Sequence, residues 1–249
     1  MVCRLLYGSG LDRYHEPNIL SLDWNSKYLE GQILQIDKPL EWTSFDVVKK
    51  LRYALKVKKI GHAGTLDPLA TGLLLIGTGK ATKQLQALQG LDKTYEGIIE
   101  IGKTTPSYDL ETPFDTDLDW GHIGEEDILE VVTKFLGAIE QYPPAHSAVK
   151  IGGERAYKKA RRNEQVELKV RKVTIQKFDV VKIDLPEIHF EVGCSKGTYI
   201  RSLAHDFGQA LGVGGYLKSL RRTSIGDFHV HEALTLDDFL KTLSLDEGN

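Results

Sequence analysis

Strand-like and helix-like stretches follow one another irregularly along this chain, and their order narrows the fold to one class. Alternating apolar residues over Tyr95 to Gly102 predict a strand, whereas the apolar spacing over Glu125 to Leu136 predicts a helix. No regular strand–helix–strand repeat is present, which favours an α+β fold over a doubly wound parallel sheet. Further strands are predicted at Gly31 to Ile36, Leu73 to Ile76, Val166 to Val181 and Glu187 to Val192, and further helices at Val47 to Leu55, Lys80 to Leu88, Tyr199 to Leu211 and Thr235 to Leu243.

Two of the predicted helices carry more detail. Thr43 and Asp46 have the spacing of a capping box at the start of the first helix. The helix from Glu125 to Leu136 is expected to face the core with four residues, Ile128, Leu129, Val132 and Leu136.

The length of 249 residues allows one large domain, and the N-terminal part has no steady hydrophobic period. We therefore expect an extension at residues 1–30, loosely attached, and a main domain at residues 31–249. No stretch approaches the roughly 18 unbroken apolar residues of a membrane span, and we expect no secretion signal. The two cysteines, Cys3 and Cys194, form no disulfide framework or metal-ligand cluster, which favours a reducing cytoplasm.

The formal net charge of −3 argues mildly against nucleic-acid binding, but the charge is unevenly distributed. Lys150 to Lys177 holds ten Lys or Arg against three Glu, whereas Asp109 to Glu140 holds ten Asp or Glu against one lysine. Contact with phosphates requires such a basic segment. Two solvated faces of opposite sign would give the same pattern, so charge alone leaves both interpretations open.

The segment Gly61 to Pro68 (GHAGTLDP) is a predicted loop that presents Asp67. Its glycines let the chain turn and a ligand approach closely, and a proline after Asp67 disfavours helical backbone at the aspartate. A carboxylate on such a loop suits nucleophilic or acid–base chemistry. Asp67 could equally open a short helix, and the residues alone do not decide between the two.

Several long motifs resemble, in order, those of the TruB family of tRNA pseudouridine synthases. The segment Gly61 to Thr82 (GHAGTLDPLATGLLLIGTGKAT) looks like the signature of that family, and the resemblance extends from about Gly31 to Leu240. The other motifs are Ile36 to Pro39 with Trp42 to Ser44, Lys93 to Tyr95, Tyr142 to Pro144 through Arg161, Gly197 to Leu203, and Leu220 to Thr223. The resemblance implies a pseudouridine synthase fold, with a large mixed, mostly antiparallel sheet flanked by helices.

The resemblance also implies roles for individual residues. Asp67 falls on the catalytic aspartate, which attacks the target nucleotide at the base or at the ribose, and Arg201 on the arginine that pairs with it. Tyr95 falls on a catalytic tyrosine that lies against the target base, and Tyr199 on a second tyrosine of the site. The reaction breaks the N-glycosidic bond and reattaches the same uracil through carbon, so neither a cofactor nor a metal is expected.

Further residues are expected to bind the RNA. His62 matches a histidine that helps to open the RNA loop, and Lys38 matches a motif lysine that either supports the site or contacts phosphate. A flexible flap at about residues 141–165 is expected to grip the RNA backbone through its cations, among them Lys150, Lys158, Arg161 and Arg162. The implied substrate is uridine 55 in the T-arm stem-loop of tRNA, with no obligatory protein partner and a monomeric enzyme.

The sequence departs from many relatives after Thr223, where only about 25 residues follow. We therefore expect no C-terminal RNA-binding (PUA) domain. Two other functions remain open: a tRNA chaperone whose catalysis is secondary, and a guided enzyme that acts on ribosomal RNA.

Overall fold

The computed structural model describes residues 25–147, 150–151, 153–156, 159, 162, 164 and 168–246. The strands are β1 (Ile33–Lys38), β2 (Ile60–Ala63), β3 (Ala70–Thr78), β4 (Lys93–Ile101), β5 (Lys103–Thr104), β6 (Thr116–Asp117), β7 (Gly137–Gln141), β8 (Lys150–Ile151), β9 (Glu154–Arg155), β10 (Arg171–Asp184), β11 (Glu187–Cys194), β12 (Gly215–Ile225), β13 (Phe228–His229) and β14 (Leu234–Thr235). The α-helices are α1 (Ser26–Glu30), α2 (Ser44–Ala54), α3 (Leu85–Gln89), α4 (Glu125–Lys134), α5 (Ile200–Ala210) and α6 (Leu236–Asp246).

Ten strands form one large mixed sheet in the order β14-β1-β3-β12-β4-β11-β10-β7, with β2 paired to β3 and β13 to β12. Neighbouring strands are antiparallel except for the pairs β1–β14 and β3–β12, which are parallel. This sheet, with helices packed against it, confirms the predicted α+β class and the mostly antiparallel arrangement.

Helices cover the sheet over two hydrophobic cores. The larger core joins α4 and α5 to β4, β10, β11 and β12, with Phe190 and Phe207 among its most buried side chains. The second core joins α1, α2 and α6 to β1 and β3 around Ile36 and Leu51. Removal of this apolar surface from water is the main force that holds the helices on the sheet.

The start of α2 has the predicted capping box. The Thr43 hydroxyl accepts a hydrogen bond from the backbone N–H of Asp46, and the Asp46 carboxylate accepts one from the N–H of Thr43, both at 3.0 Å. The box fixes the point at which the chain leaves β1 and enters the helix.

The N-terminal boundary of the core differs from the expectation. Residues 26–30 form α1, and its Tyr28 is buried with its ring centroid 6.3 Å from that of Phe239 in α6. This short helix is therefore part of the second core and is not loosely attached. Residues 1–24 of the expected extension lie outside the described part of the chain.

The prediction for α4 was wrong at two positions. Ile128, Val131 and Val132 form its buried face, whereas Leu129 and Leu136 are each 46% exposed. Leu129 lies about 100° around the helix from Ile128, and Leu136 follows the last helical residue, so neither side chain points to the core.

Two segments have a local structure that differs from the predicted one. Gly61 to Ala63, expected in a loop, belong to β2, because long-range pairing with β3 decides their conformation. The helix expected from Lys80 to Leu88 begins as a 3-10 helix at Gly79–Gln84 and becomes α-helical only in α3. Among the described residues, every helix is too short or too polar to traverse a lipid bilayer.

Candidate active site

A six-residue connection between β2 and β3 presents Asp67 at the centre of the sheet. The connection begins at Gly64, whose φ of 77° would strain any residue with a side chain. The Ser44 hydroxyl at the start of α2 accepts a hydrogen bond from Leu66 N–H at 2.9 Å and donates one to the Leu66 carbonyl at 3.1 Å. The backbone beside Asp67 is therefore fixed by a neighbouring helix.

Arg201, in the first turn of α5, connects Asp67 to a second carboxylate. Its Nε lies 3.0 Å from Asp67 Oδ2, and its Nη1 lies 3.5 Å from Asp109 Oδ2. The guanidinium also donates hydrogen bonds to the carbonyls of Ser107 at 3.3 Å and His146 at 3.0 Å. The arginine side chain is 4% exposed, so its orientation is fixed by these partners.

Asp67 lies at the wall of a cleft and keeps 42% of its side-chain surface accessible. Burial of the carboxyl group in the surrounding protein raises its pKa, the Arg201 guanidinium opposes that rise, and the Asp109 carboxylate adds to it. Arg201 therefore favours the ionised form of Asp67, which a nucleophile requires.

Tyr95, in β4, is buried in the central part of the sheet next to Arg222 of β12, its register partner. Burial raises the pKa of the Tyr95 phenol, and the nearby Arg222 guanidinium opposes the rise. Arg222 is itself buried and donates hydrogen bonds to the carbonyls of Leu73 at 2.8 Å and Gly64 at 3.0 Å. Arg222 thus ties the loop of Asp67 to the strand beside Tyr95.

Tyr199, immediately before α5, is held through its backbone by Gln141 at the end of β7. The Gln141 side chain accepts a hydrogen bond from Tyr199 N–H at 2.7 Å and donates one to the Tyr199 carbonyl at 3.0 Å. The Arg171 guanidinium lies over the Tyr199 ring, 5.5 Å from its centroid. This arrangement places a cation over an aromatic face, which is the geometry of a cation–π contact.

These residues surround a cleft of about 340 Å³. Its lining includes the predicted Asp67, Tyr95, Tyr199 and Arg201, together with Lys93, Arg171 and Arg222. Four cationic side chains therefore border the cleft beside the Asp67 carboxylate, which suits a substrate that carries negative charge.

Lys38 does not contact the surface, so the expectation that it binds RNA phosphate was wrong. Its side chain is fully buried, and its Nζ donates to the carbonyls of Trp42 at 2.6 Å, Pro39 at 2.8 Å and Pro68 at 3.4 Å. Burial lowers the pKa of Lys38 to about 8. The lysine supports the backbone next to Asp67, which was the alternative role considered for it.

His62, on β2, does not line the cleft but contacts a residue that does. Its Nε2 lies 3.2 Å from the hydroxyl of Thr65. Burial lowers the pKa of His62, and the Arg222 guanidinium lowers it further, so the ring is neutral at pH 7.

The predicted RNA-binding flap is described only in part. Lys158 and Arg161 lie outside the described residues, as does the side chain of Lys150. Arg162 forms a two-pronged ion pair with Glu154, with both distances 2.9 Å, and a second pair with Glu164 at 2.6 Å. Its charge is balanced by two carboxylates, which makes Arg162 a weaker phosphate ligand than its exposed position indicates.

Sequence reasoning missed five residues of this site: Lys93, Asp109, Gln141, Arg171 and Arg222. Arg222 belongs to the family-like motif Leu220 to Thr223, which was the available signal. Asp109 was counted within an acidic segment that gave no sign of a buried partner. Among the described residues, no group of three or more His, Cys, Asp or Glu gathers where it would bind a metal ion.

Two family models and several named relatives match this chain. The family model "TruB family pseudouridylate synthase (N terminal domain)" matches residues 52–200, and "tRNA pseudouridylate synthase B C-terminal domain" matches residues 201–248. The chain is 55% identical over 224 residues to the tRNA pseudouridine synthase B of Flavobacterium johnsoniae, covering 87% of this chain and 98% of that protein. It is 46% identical over 226 residues to the protein of the same name from Phocaeicola vulgatus, covering 88% and 96%.

Among solved structures, the chain is similar to one in a structure of an H/ACA RNP bound to a substrate RNA containing 2′-deoxyuridine. The TM-score is 0.67 at 28% sequence identity, covering 89% of this chain and 56% of that chain. The present chain thus spans little more than half of that protein's length. Because the first family model alone matches more than half of the sequence, the chain belongs to the TruB family of pseudouridylate synthases.

Proposed function

We propose that this pseudouridylate synthase converts uridine 55 in the T-loop of tRNA to pseudouridine, with Asp67 as the nucleophile. The observation that carries the proposal is the 3.0 Å contact between Asp67 and the buried Arg201, inside a cleft lined by Tyr95 and Tyr199. A tRNA substrate is favoured because the relatives named tRNA pseudouridine synthase B match along nearly their whole length.

The size and chemistry of the cleft support a flipped nucleotide as its occupant. A cleft of about 340 Å³ is at the small end of ligand sites, which suits one nucleoside and not a duplex. A base inside a stem-loop must leave its stack to enter, at a cost of a few kcal/mol. Tyr95 and Tyr199 offer ring faces that replace part of the lost stacking.

The reaction is balanced without an external group. Asp67 attacks the target nucleotide at the base or the ribose, and the bond between uracil N1 and ribose C1′ breaks. The uracil turns and its C5 bonds to C1′. The bond to Asp67 breaks and frees the carboxylate, C5 releases its proton and N1 gains one. Burial raises the pKa of Tyr95 further above neutral pH, so the phenol is protonated when it meets the base as a stacking ring and hydroxyl donor.

A groove next to the cleft supports the path of the RNA backbone. It has a volume of about 640 Å³ and shares Gln89, Arg171 and Gly197 with the active-site cleft. Lys172 and Lys196 also line this groove and add two cations to that of Arg171. Phosphates flanking a flipped uridine are the ligands that such a continuous basic wall accommodates.

The substrate assignment is tested with unmodified tRNA transcripts that carry tritium at uridine C5. The wild-type protein, with no other RNA or protein added, is expected to release about one tritium per molecule from position 55. A transcript with cytidine at position 55 should release none, and a bare T-arm hairpin should remain a substrate.

Other outcomes separate the remaining functions. Release from the cytidine-55 transcript would assign a different position. Binding of the transcript without release would favour the chaperone function. Release only after a guide RNA is added would favour a guided enzyme.

A further inference from the structure

Tyr108 has backbone geometry that requires a compensating interaction. Its φ of 64° lies in the left-handed region, which is uncommon for a bulky residue. The ring stacks on that of His205, with centroids 3.8 Å apart and an interplanar angle of 14°. A strained residue held by a close aromatic contact often marks a functional position.

The neighbours of Tyr108 are both partners of Arg201. The Ser107 carbonyl accepts a hydrogen bond from Arg201 Nη1 at 3.3 Å, and Asp109 Oδ2 lies 3.5 Å from the same atom. The backbone turns sharply at Tyr108, which stands between these two groups. The left-handed turn at Tyr108 lets both groups face one guanidinium.

The same helix supplies both halves of this contact. Arg201 and His205 are four residues apart in α5, so their side chains lie on one face of the helix. The loop that contains Tyr108 is thus attached to α5 at two points, one turn apart. It is also fixed to β12, where Leu217 N–H donates to the Tyr108 carbonyl at 2.9 Å.

We propose that Tyr108 is a positioning residue for the reaction, which sets the direction of Arg201 toward Asp67 by stacking on His205. Without the stack, the loop of Ser107 and Asp109 is attached to α5, among the described residues, only through Arg201 itself. The guanidinium then keeps its charge but is no longer oriented by the two groups that hold its Nε 3.0 Å from Asp67. The inference rests on the proposed function, because turnover is its readout.

Substitutions at Tyr108 distinguish the contribution of its ring from that of its left-handed backbone. Tyr108→Phe keeps the stack and should retain kcat, whereas Tyr108→Gly accepts the left-handed backbone but has no ring. We expect Tyr108→Gly to lower kcat about tenfold with KM within about twofold, because the effect is on orientation and not on RNA binding. His205→Ala should act alike, and the double variant should be no worse than either single one.

A second measurement excludes a merely structural role. The acid limb of kcat should move to higher pH in Tyr108→Gly, because a less well-placed Arg201 lowers the pKa of Asp67 less. The matched control is Phe114→Ala, which removes a ring packed on Tyr216 at 5.2 Å, away from Arg201. This variant should leave kcat and the acid limb unchanged.

If Tyr108→Gly had the kcat of the wild type and the same acid limb in the pH dependence of kcat, the inference would be overturned. A variant that loses only thermal stability would also overturn it. A wild-type protein that turns over no uridine would contradict the proposed function instead, so the two failures are distinguishable.

Discussion

At the scale of single residues, the site depends on one buried arginine that serves two carboxylates. Arg201 lies 3.0 Å from Asp67 and 3.5 Å from Asp109, and two carbonyls accept its remaining donors. A lysine at this position would carry the same charge but could not address four partners from one nitrogen. The planar guanidinium of Arg201 is therefore required to reach these partners as well as to supply the positive charge.

Arg201→Lys should lower kcat by about 100-fold, the usual cost of losing one oriented donor in a reacting site. The sign of the pH effect follows from Asp67, whose pKa burial raises and Arg201 lowers. A weaker cation leaves that pKa higher, so activity should begin to fall at a higher pH on acidification. Single-turnover rates across pH check this, and an acid limb at the wild-type position would contradict it.

At the scale of secondary-structure elements, sequence patterns predicted those strands and helices whose conformation is determined by their own residues. β1 ends at Lys38, directly before Pro39 and two residues beyond the predicted end. α2 begins at Ser44, directly after the predicted capping residue Thr43. β2 was missed because its glycines resemble a loop, whereas pairing with β3 supplies the order. Local propensity cannot register such a distant partner.

The same limit applies to the site. Asp67 and Arg201 were predicted by resemblance, and the contact between them is present in the structure. Gln141 holds the backbone of Tyr199 from the end of β7, and Lys38 is buried under Trp42 and Pro68. The role of Gln141 depends on elements that meet only in the fold, so no pattern along the chain indicated it. For Lys38 the sequence left two roles open, and its burial favours the supporting one.

At the scale of the whole molecule, the location of the charged residues says more about RNA binding than the net charge does. The formal net charge is −3, yet four cations border the active-site cleft and Lys172 and Lys196 extend that charge along the adjoining groove. Arg162 of the flap is balanced by Glu154 and Glu164. We expect the groove to supply much of the electrostatic attraction for RNA among the described residues.

Replacement of Arg171, Lys172 and Lys196 together by alanine should weaken tRNA binding and reduce its dependence on salt. The slope of log K against log salt should become shallower by about 2, at about 0.7 for each single-strand phosphate that is no longer neutralised. A matched control replaces Lys134, Lys182 and Lys241, which are exposed and paired with neighbouring carboxylates. Equal slopes for the groove variant and the control would place the RNA elsewhere.

The central claim is that Asp67 is the nucleophile of a uridine isomerase. Its most direct test is tritium release from C5-labelled tRNA by the wild type and by Asp67→Asn, alongside the binding of each to the same transcript. We expect release by the wild type, none by the variant, and affinities within about threefold of one another, because the substitution changes charge and little shape. Release by Asp67→Asn at a rate near that of the wild type would show that Asp67 is not the nucleophile.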